Sequence, residues 1–129
     1  MSQNISAEYL QLFINTAKEA LDTLSSRLKL LNSDNELIKP DAVSESHRMA
    51  HTLKSSSHFM GYIHLSEAML VLENLFNGIK NGSLVLSSPM IEIIDETINQ
   101  AKNSISSIEN EGQEIDLTYQ VTLLKKFIT

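Results

Sequence analysis

Apolar residues recur every three or four positions along most of the chain, which is the spacing of one face of an α-helix. The first such series predicts a helix over residues 6–31. Ser6 is suited to be its N-cap, because a serine hydroxyl can accept a hydrogen bond from a backbone N–H of the first turn. The apolar face of this helix is made by Leu10, Phe13, Ala17, Leu21, Leu24, Leu28 and Leu31.

Helix-breaking residues divide the next part of the chain into two more helices. The polar stretch 32–39 interrupts the apolar spacing, and Pro40 with Asp41 predicts the start of a second helix, since proline is favoured in the first helical turn. We expect this helix to run to about Met60. A third helix should end at Asn81-Gly82, a typical C-terminal cap. Its apolar residues are Leu65, Met69, Leu72, Phe76 and Ile79.

The last third of the chain predicts one long and one short helix. Ser88 is the expected N-cap of the fourth helix, with Pro89 at its first helical position, and the helix should continue to Gly112. The segment Asp116–Ile128 predicts a shorter fifth helix, and Gln113–Asp116 is the one candidate hinge. The apolar residues of this fifth helix are Leu117, Val121, Leu124 and Ile128.

Long amphipathic helices joined by short connections predict an all-α fold. We expect an antiparallel four-helix bundle with a short additional C-terminal helix. Residues 1–112 would form the bundle, and residues 113–129 would be the C-terminal helix or the start of a linker. The chain has 129 residues, which suits one domain with one core.

Composition narrows the classes of function. The net charge is −6, which argues against binding to nucleic acid or to a membrane surface, since both need a basic patch. The chain has no cysteine, which excludes disulfides and thiolate metal sites and allows a reducing compartment. Its N-terminus lacks the pattern of a signal peptide, and no apolar run approaches the roughly 20 residues that span a bilayer. We therefore expect a cytoplasmic protein.

Candidate chemistry lies on the second helix, where His47, His51, Lys54 and His58 fall on the face opposite to its apolar residues. Spacing alone is compatible with a solvated polar face. His47 and His51 are one turn apart and could share a metal ion, but the spacing offers no third ligand. We therefore expect no specific metal site, although a metal-binding histidine face stays as an alternative.

Motifs for nucleotide binding and for nucleophilic catalysis are absent from the sequence. The four glycines form no phosphate-cradling loop. There is no Gly-x-Ser-x-Gly elbow and no cysteine nucleophile. We therefore expect no bound cofactor, and any phosphoryl group would have to come from a donor held by another domain or protein.

The segment HRMAHTLKSSSHFMG at residues 47–61 resembles the signature of histidine-containing phosphotransfer (HPt) domains. The resemblance continues through Leu72-Glu73-Asn74-Leu75 and through the stretch from Asn81 to Ser87, and it covers about residues 6–110. It is most like the N-terminal HPt domain of the CheA-type chemotaxis histidine kinases. The fold that it implies is the same helical bundle.

The resemblance also implies roles for individual residues. His51 would be the phosphoacceptor. Glu73 would accept a hydrogen bond from the Nδ1–H of His51, so that Nε2 stays free as the nucleophile. Lys54 would pair with the phosphoryl oxygens. Docking of the partner proteins would involve Arg48, Ser55 and His58.

The function implied is that of an HPt domain in a chemotaxis or two-component phosphorelay. It would accept a phosphoryl group from the ATP-binding domain of a histidine kinase and pass it to an aspartate of a response-regulator receiver domain. The chain would act as a phosphoacceptor and not itself as a kinase, and would be monomeric. Whether it is part of a CheA-type kinase or a free-standing phosphocarrier stays open.

Two departures from the family pattern support an alternative function. Ser55 stands where the family usually has glycine, and Leu70 stands where many relatives have a second histidine. Because Leu70 replaces this histidine, we expect no neighbouring side chain to compensate if Glu73 is lost. The alternative is a helical-bundle interaction module that has lost phosphotransfer.

Overall fold

The computed structural model describes residues 6–32, 36–37 and 39–128, and within these ranges the regular structure is entirely helical. The expected all-α fold is confirmed. Five helices follow one another along the chain: α1 (Ala7–Leu31), α2 (Lys39–Met60), α3 (Ile63–Asn81), α4 (Ser88–Glu111) and α5 (Thr118–Lys125).

Most helix ends follow the predicted signals, but the N-cap of α4 differs from the prediction. Ser6 caps α1 by accepting a hydrogen bond from the Tyr9 backbone N–H, as predicted. The prediction of Ser88 as the cap of α4 was wrong, because Ser87 has the extended backbone and its Oγ accepts from Met90 N–H. Pro89 is thus the second residue of α4 and not the first. A proline fits there as well, because the N–H groups of a first helical turn have no partner within the helix.

The α3 and α4 helices end in glycine caps, and α5 is shorter than predicted. Gly82 and Gly112 follow α3 and α4 with φ of +84° and +77°, a conformation that glycine adopts without steric cost. The last helix ends at Lys125, and the chain continues as turns in which Ile128 is exposed. Ile128 was therefore wrongly assigned to the apolar face.

An ion pair and a ring contact show that α1 and α2 run antiparallel. Arg27 near the end of α1 binds Glu45 near the start of α2, while Phe13 near the start of α1 stacks on Tyr62 just after α2.

The core between the helices is almost wholly aliphatic. Its largest fully buried side chains include Leu21, Leu24, Leu53, Leu65, Met69, Leu72, Leu75, Phe76, Ile94, Ile98 and Ile105.

The segment between α4 and α5 is bound to the start of α3. Both carboxylate oxygens of Glu114 accept backbone N–H groups of the first turn of α3, from His64 at 3.2 Å and from Leu65 at 3.0 Å. His64 Nδ1 in turn accepts the Leu117 N–H at 3.3 Å. We call this set, His64, Leu65, Glu114 and Leu117, the C-terminal clamp.

The clamp changes the interpretation of the connecting segment. Residues 113–116 were the candidate hinge, yet Glu114 caps α3 and the Ile115 N–H binds the buried Ser104 hydroxyl. Leu117, Val121 and Leu124 are buried, and α5 packs on α3 and α4. The segment is therefore held to the bundle, while the domain division at residue 112 stays a prediction.

Candidate functional site

His51 projects from the outward face of α2 at the middle of the bundle. Its neighbours Ala50 and Leu53 are buried in the core, and a turn of about 100° per residue therefore places His51 on the far side of the helix. The His51 side chain is 56% exposed. His51 therefore lies on the polar face of α2, opposite to its apolar residues, as the sequence predicted.

Glu73 reaches His51 from the adjacent helix. The residue lies on α3 between the buried Leu72 and Leu75, and its side chain is only 13% exposed. Glu73 Oε2 is 2.6 Å from His51 Nδ1, and Glu73 Oε1 accepts a hydrogen bond from Lys54 Nζ at 2.8 Å. The structure thus brings together the three residues that the resemblance implied, His51, Lys54 and Glu73.

The ionisation of Glu73 fixes the role of each nitrogen of His51. Partial burial raises the pKa of Glu73, but hydrogen bonds from Lys54 and His51 outweigh it and hold the pKa below its ordinary value. An ionised carboxylate accepts hydrogen bonds and cannot donate them. The proton between the two residues therefore belongs to His51 Nδ1, and in the neutral ring Nε2 carries the lone pair.

His47 lies beside this group of three residues, in a contact that the sequence analysis did not predict. Its Nε2 is 3.9 Å from Glu73 Oε2, the same oxygen that binds His51. The expectation that no neighbouring side chain would compensate for the loss of Glu73 stays a prediction, since His47 contacts Glu73 itself. The position of His47 one helical turn before His51 was the available signal. It showed that the two histidines share a face of α2, but not that both approach Glu73 on α3.

Lys54 binds Glu73 in this structure, and its expected pairing with phosphoryl oxygens stays a prediction. Its ammonium group is bound to Glu73 and is not directed at open solvent, since the side chain is 25% exposed. Lysine has a long flexible stem with three donors. The ammonium group can therefore keep one bond to Glu73 or turn towards a group beside His51.

The three predicted docking residues lie on the surface without a contact to Glu73 among the described contacts. Arg48 is exposed and lies 4.0 Å from Glu45, a carboxylate already bound by Arg27. Ser55 and His58 are exposed on the later turns of α2. Their predicted part in docking stays a prediction.

An apolar groove beside the histidine face was not found from the sequence. It lies between the start of α1 and the end of α2 and has a volume of about 220 Å³. Tyr9, Leu12 and Phe59 line it and are exposed. Large exposed apolar side chains at the polar positions of two helices were the signal that could have revealed it.

Two further properties concern metals and membranes. Within the described ranges, no group of three His, Cys, Asp or Glu side chains is placed to hold a metal ion. No helix among the described residues is long and apolar enough to cross a bilayer.

A helical bundle that presents a histidine backed by a carboxylate is the architecture of a phosphotransfer domain. The sequence matches the Hpt domain family over residues 8–104, and the chain belongs to this family.

Curated relatives share the same stretch. The chain is 34% identical over 105 residues to the chemotaxis protein CheA of Bacillus subtilis strain 168, a match that covers 81% of this chain and 15% of that protein. It is 31% identical over 104 residues to CheA of Listeria monocytogenes, with 81% and 16% covered. The chain thus spans about 15% of the length of these relatives.

A solved structure has the same fold. It is the phosphorylated P1 domain of CheA3 in complex with CheY6 from R. sphaeroides. The TM-score is 0.81 at 16% sequence identity, and the match covers 95% of this chain and 94% of that one. The expected four-helix bundle with an additional C-terminal helix is confirmed by this likeness.

Proposed function

We propose that this chain is the phosphotransfer domain of a chemotaxis-type phosphorelay and that His51 is its phosphoacceptor. The observation that carries the proposal is the 2.6 Å contact between His51 Nδ1 and Glu73 on a ring that is more than half exposed. One nitrogen is held by the protein while most of the ring is open to a donor. Relatives named as chemotaxis protein CheA support the assignment to chemotaxis signalling.

The first transfer uses ATP held by a separate kinase ATP-binding domain. The lone pair of His51 Nε2 attacks the γ-phosphorus, the bond from phosphorus to the bridging oxygen breaks, and ADP leaves with that electron pair. The ring becomes positively charged while Nδ1 keeps its proton. Glu73 stabilises this charge because its carboxylate is nearly buried and therefore weakly screened.

The second transfer reverses the chemistry at nitrogen. An aspartate oxygen of a receiver domain attacks phosphorus, the Nε2–phosphorus bond breaks, and its electron pair returns to the ring. The solved neighbour is a phosphorylated domain in complex with CheY6, which supports a receiver domain as the partner. Lys54 lies one turn after His51 and, with its flexible stem, can follow the phosphoryl oxygens in both steps.

Partner docking would use the surface around His51. The apolar groove of Tyr9, Leu12 and Phe59 flanks α2 on one side, and Arg48 and His58 flank His51 along the helix. Exposed apolar patches with polar rims are typical of protein interaction sites. We place this exchange in the cytoplasm, which the absence of cysteine allows.

The test is a two-step transfer assay. The chain is incubated with a CheA-type kinase ATP-binding domain and γ-labelled ATP, and a receiver domain is then added. We expect acid-labile, alkali-stable label on the chain, loss of that label to the receiver, and no uptake by His51→Gln. A folded wild-type chain that takes up no label would contradict the proposal and favour an interaction module without phosphotransfer.

A further inference from the structure

We propose that His47 is a positioning residue that makes the hold of Glu73 on His51 dependent on pH. The inference rests on the proposed function, because it assigns His47 a part in the same transfer. His47 acts through Glu73 and not on the phosphoryl group itself.

The geometry places two imidazoles on one carboxylate oxygen. His47 and His51 are one helical turn apart on α2, and Glu73 Oε2 is 2.6 Å from His51 Nδ1 and 3.9 Å from His47 Nε2. Oε1 is taken by Lys54 at 2.8 Å. A stronger contact between His47 and Oε2 therefore weakens the hydrogen bond by which the same oxygen orients His51.

Burial makes this competition effective. The side chains of His47 and Glu73 are 29% and 13% exposed, so solvent screens a charge on His47 less than it would screen a charge on the surface. Glu45, two residues before His47 on α2, is bound by Arg27 of α1 at 2.7 Å and approached by Arg48 at 4.0 Å. Among the described contacts, Glu73 is the carboxylate that His47 approaches.

Protonation of His47 has two effects on the transfer. A neutral His47 leaves Oε2 mainly to His51, whereas a protonated His47 becomes a cationic donor to that oxygen, in addition to the ammonium of Lys54 on Oε1. The added positive charge also opposes the positive charge that forms on His51 when its Nε2 bonds to phosphorus. Both effects slow the transfer at acid pH, and histidine is the side chain that gains a proton in this range.

A small phosphoryl donor tests the rate without a docking partner. Phosphoramidate would transfer its phosphoryl group to His51 Nε2, with its phosphorus–nitrogen bond breaking and ammonia leaving. We expect His47→Phe and His47→Gln to match wild type at pH 8 and to exceed it about threefold at pH 6, because neither side chain gains a proton. His47→Lys, which carries a permanent charge, should be several-fold slower than wild type at pH 8.

Ring nitrogen NMR tests the coupling without any transfer. In wild type we expect the His51 ring signals to show a second inflection with pH, caused by titration of His47. This inflection should vanish in His47→Phe and persist in His58→Phe, which removes an exposed imidazole two turns further along α2. Amide spectra of each variant confirm the fold.

The two measurements separate the two proposals. Identical His51 titration curves in wild type and His47→Phe would overturn the role of His47, whether or not any phosphoryl transfer occurs. Equal rate ratios at pH 6 and pH 8 for a chain that is phosphorylated would overturn it as well. A coupled titration in a chain that takes no phosphoryl group from any donor would instead keep the His47–Glu73–His51 coupling and reject phosphotransfer.

Discussion

Two histidines of this chain contact their surroundings through the same ring nitrogen and use it in opposite ways. His51 Nδ1 faces the carboxylate of Glu73 at 2.6 Å and therefore carries a proton. His64 Nδ1 accepts the Leu117 backbone N–H at 3.3 Å and therefore carries none. Each ring also has a carboxylate nearby, since Asp116 lies 3.6 Å from His64 Nδ1.

The partner of Nδ1 decides what each ring can do. A carboxylate that accepts from Nδ1 leaves a lone pair on Nε2, which is the atom a phosphoryl donor would meet. A backbone N–H that donates to Nδ1 leaves the proton on Nε2, and the ring then serves to hold two segments together. The difference lies in the partner that the fold supplies and not in the histidine.

The largest expected effect is the loss of labelling when His51, but not His64, is replaced by alanine. His51→Ala should take up no label in the transfer assay, while its unfolding free energy changes by about 1 kcal/mol or less, because the ring is exposed. His64→Ala should be labelled like wild type and lose about 1 kcal/mol through the unpaired Leu117 N–H. Labelling rates and urea midpoints measure both, and loss of labelling in a folded His64→Ala chain would break the comparison.

The next effect concerns the carboxylate behind His51. Glu73→Ala frees the ring to rotate and to place its proton on Nε2, so we expect transfer to slow by ~10²–10⁴, the usual contribution of such groups. The unfolding free energy should fall by about 1–2 kcal/mol, since Glu73 is nearly buried and binds Lys54. Glu73→Gln, which keeps an acceptor oxygen, should lie between Ala and wild type. A transfer rate of Glu73→Ala equal to wild type would remove Glu73 from the site.

The third effect concerns the carboxylate of the C-terminal clamp. Glu114→Ala leaves two N–H groups at the start of α3 without their acceptor and should lower the unfolding free energy by about 1–2 kcal/mol, as loss of a helix cap does. The transfer rate of the folded protein should stay within twofold of wild type. Chemical denaturation and the labelling assay measure the two quantities. A large loss of transfer without a loss of stability would show that the clamp belongs to the active site.

The smallest effect is a pH dependence of stability. The pKa of Glu73 is lowered in the folded chain, so its ionised form stabilises the fold at pH values above the ordinary value of 4.5, and this contribution is lost as pH falls through the folded pKa. The gap in unfolding free energy between wild type and Glu73→Gln should therefore shrink from pH 6 to pH 3.

Asp116, beside His64, provides the matched carboxylate for this measurement. Hydrogen bonds from Thr118 lower the pKa of Asp116, so the gap between wild type and Asp116→Asn should change with the same sign. The change should be smaller, since Asp116 is exposed and solvent weakens its interactions. A gap that widens towards pH 3 for Glu73→Gln would contradict the lowered pKa.

Sequence patterns predicted the helices well, because each helix has an apolar face and turn-forming residues at its ends. The error at Ser88 shows the limit of such signals, since two adjacent serines are equally good caps until the backbone is known. The pairing of His51, Lys54 and Glu73 came from the family resemblance. Spacing on α2 could not show which residue of α3 faces it.

Contacts between distant segments were missed for the same reason. Glu114 is 50 positions from His64 in the chain, and a single glutamate in a polar stretch carries no local sign of being a helix cap. His47 was recognised as a neighbour of His51, but its approach to Glu73 depends on how α2 packs against α3. Periodicity gives the direction of a side chain and leaves its partner undetermined.

The cap on α3 also bears on how the bundle opens and closes. The first amides of α3 are protected only while Glu114 is in place, so His64 and Leu65 should exchange their amide hydrogens together with the buried part of α5. The family match ends at residue 104, before Glu114. The first turn of α3 is thus capped by a residue outside that match, and we expect the bundle and the C-terminal segment to unfold together.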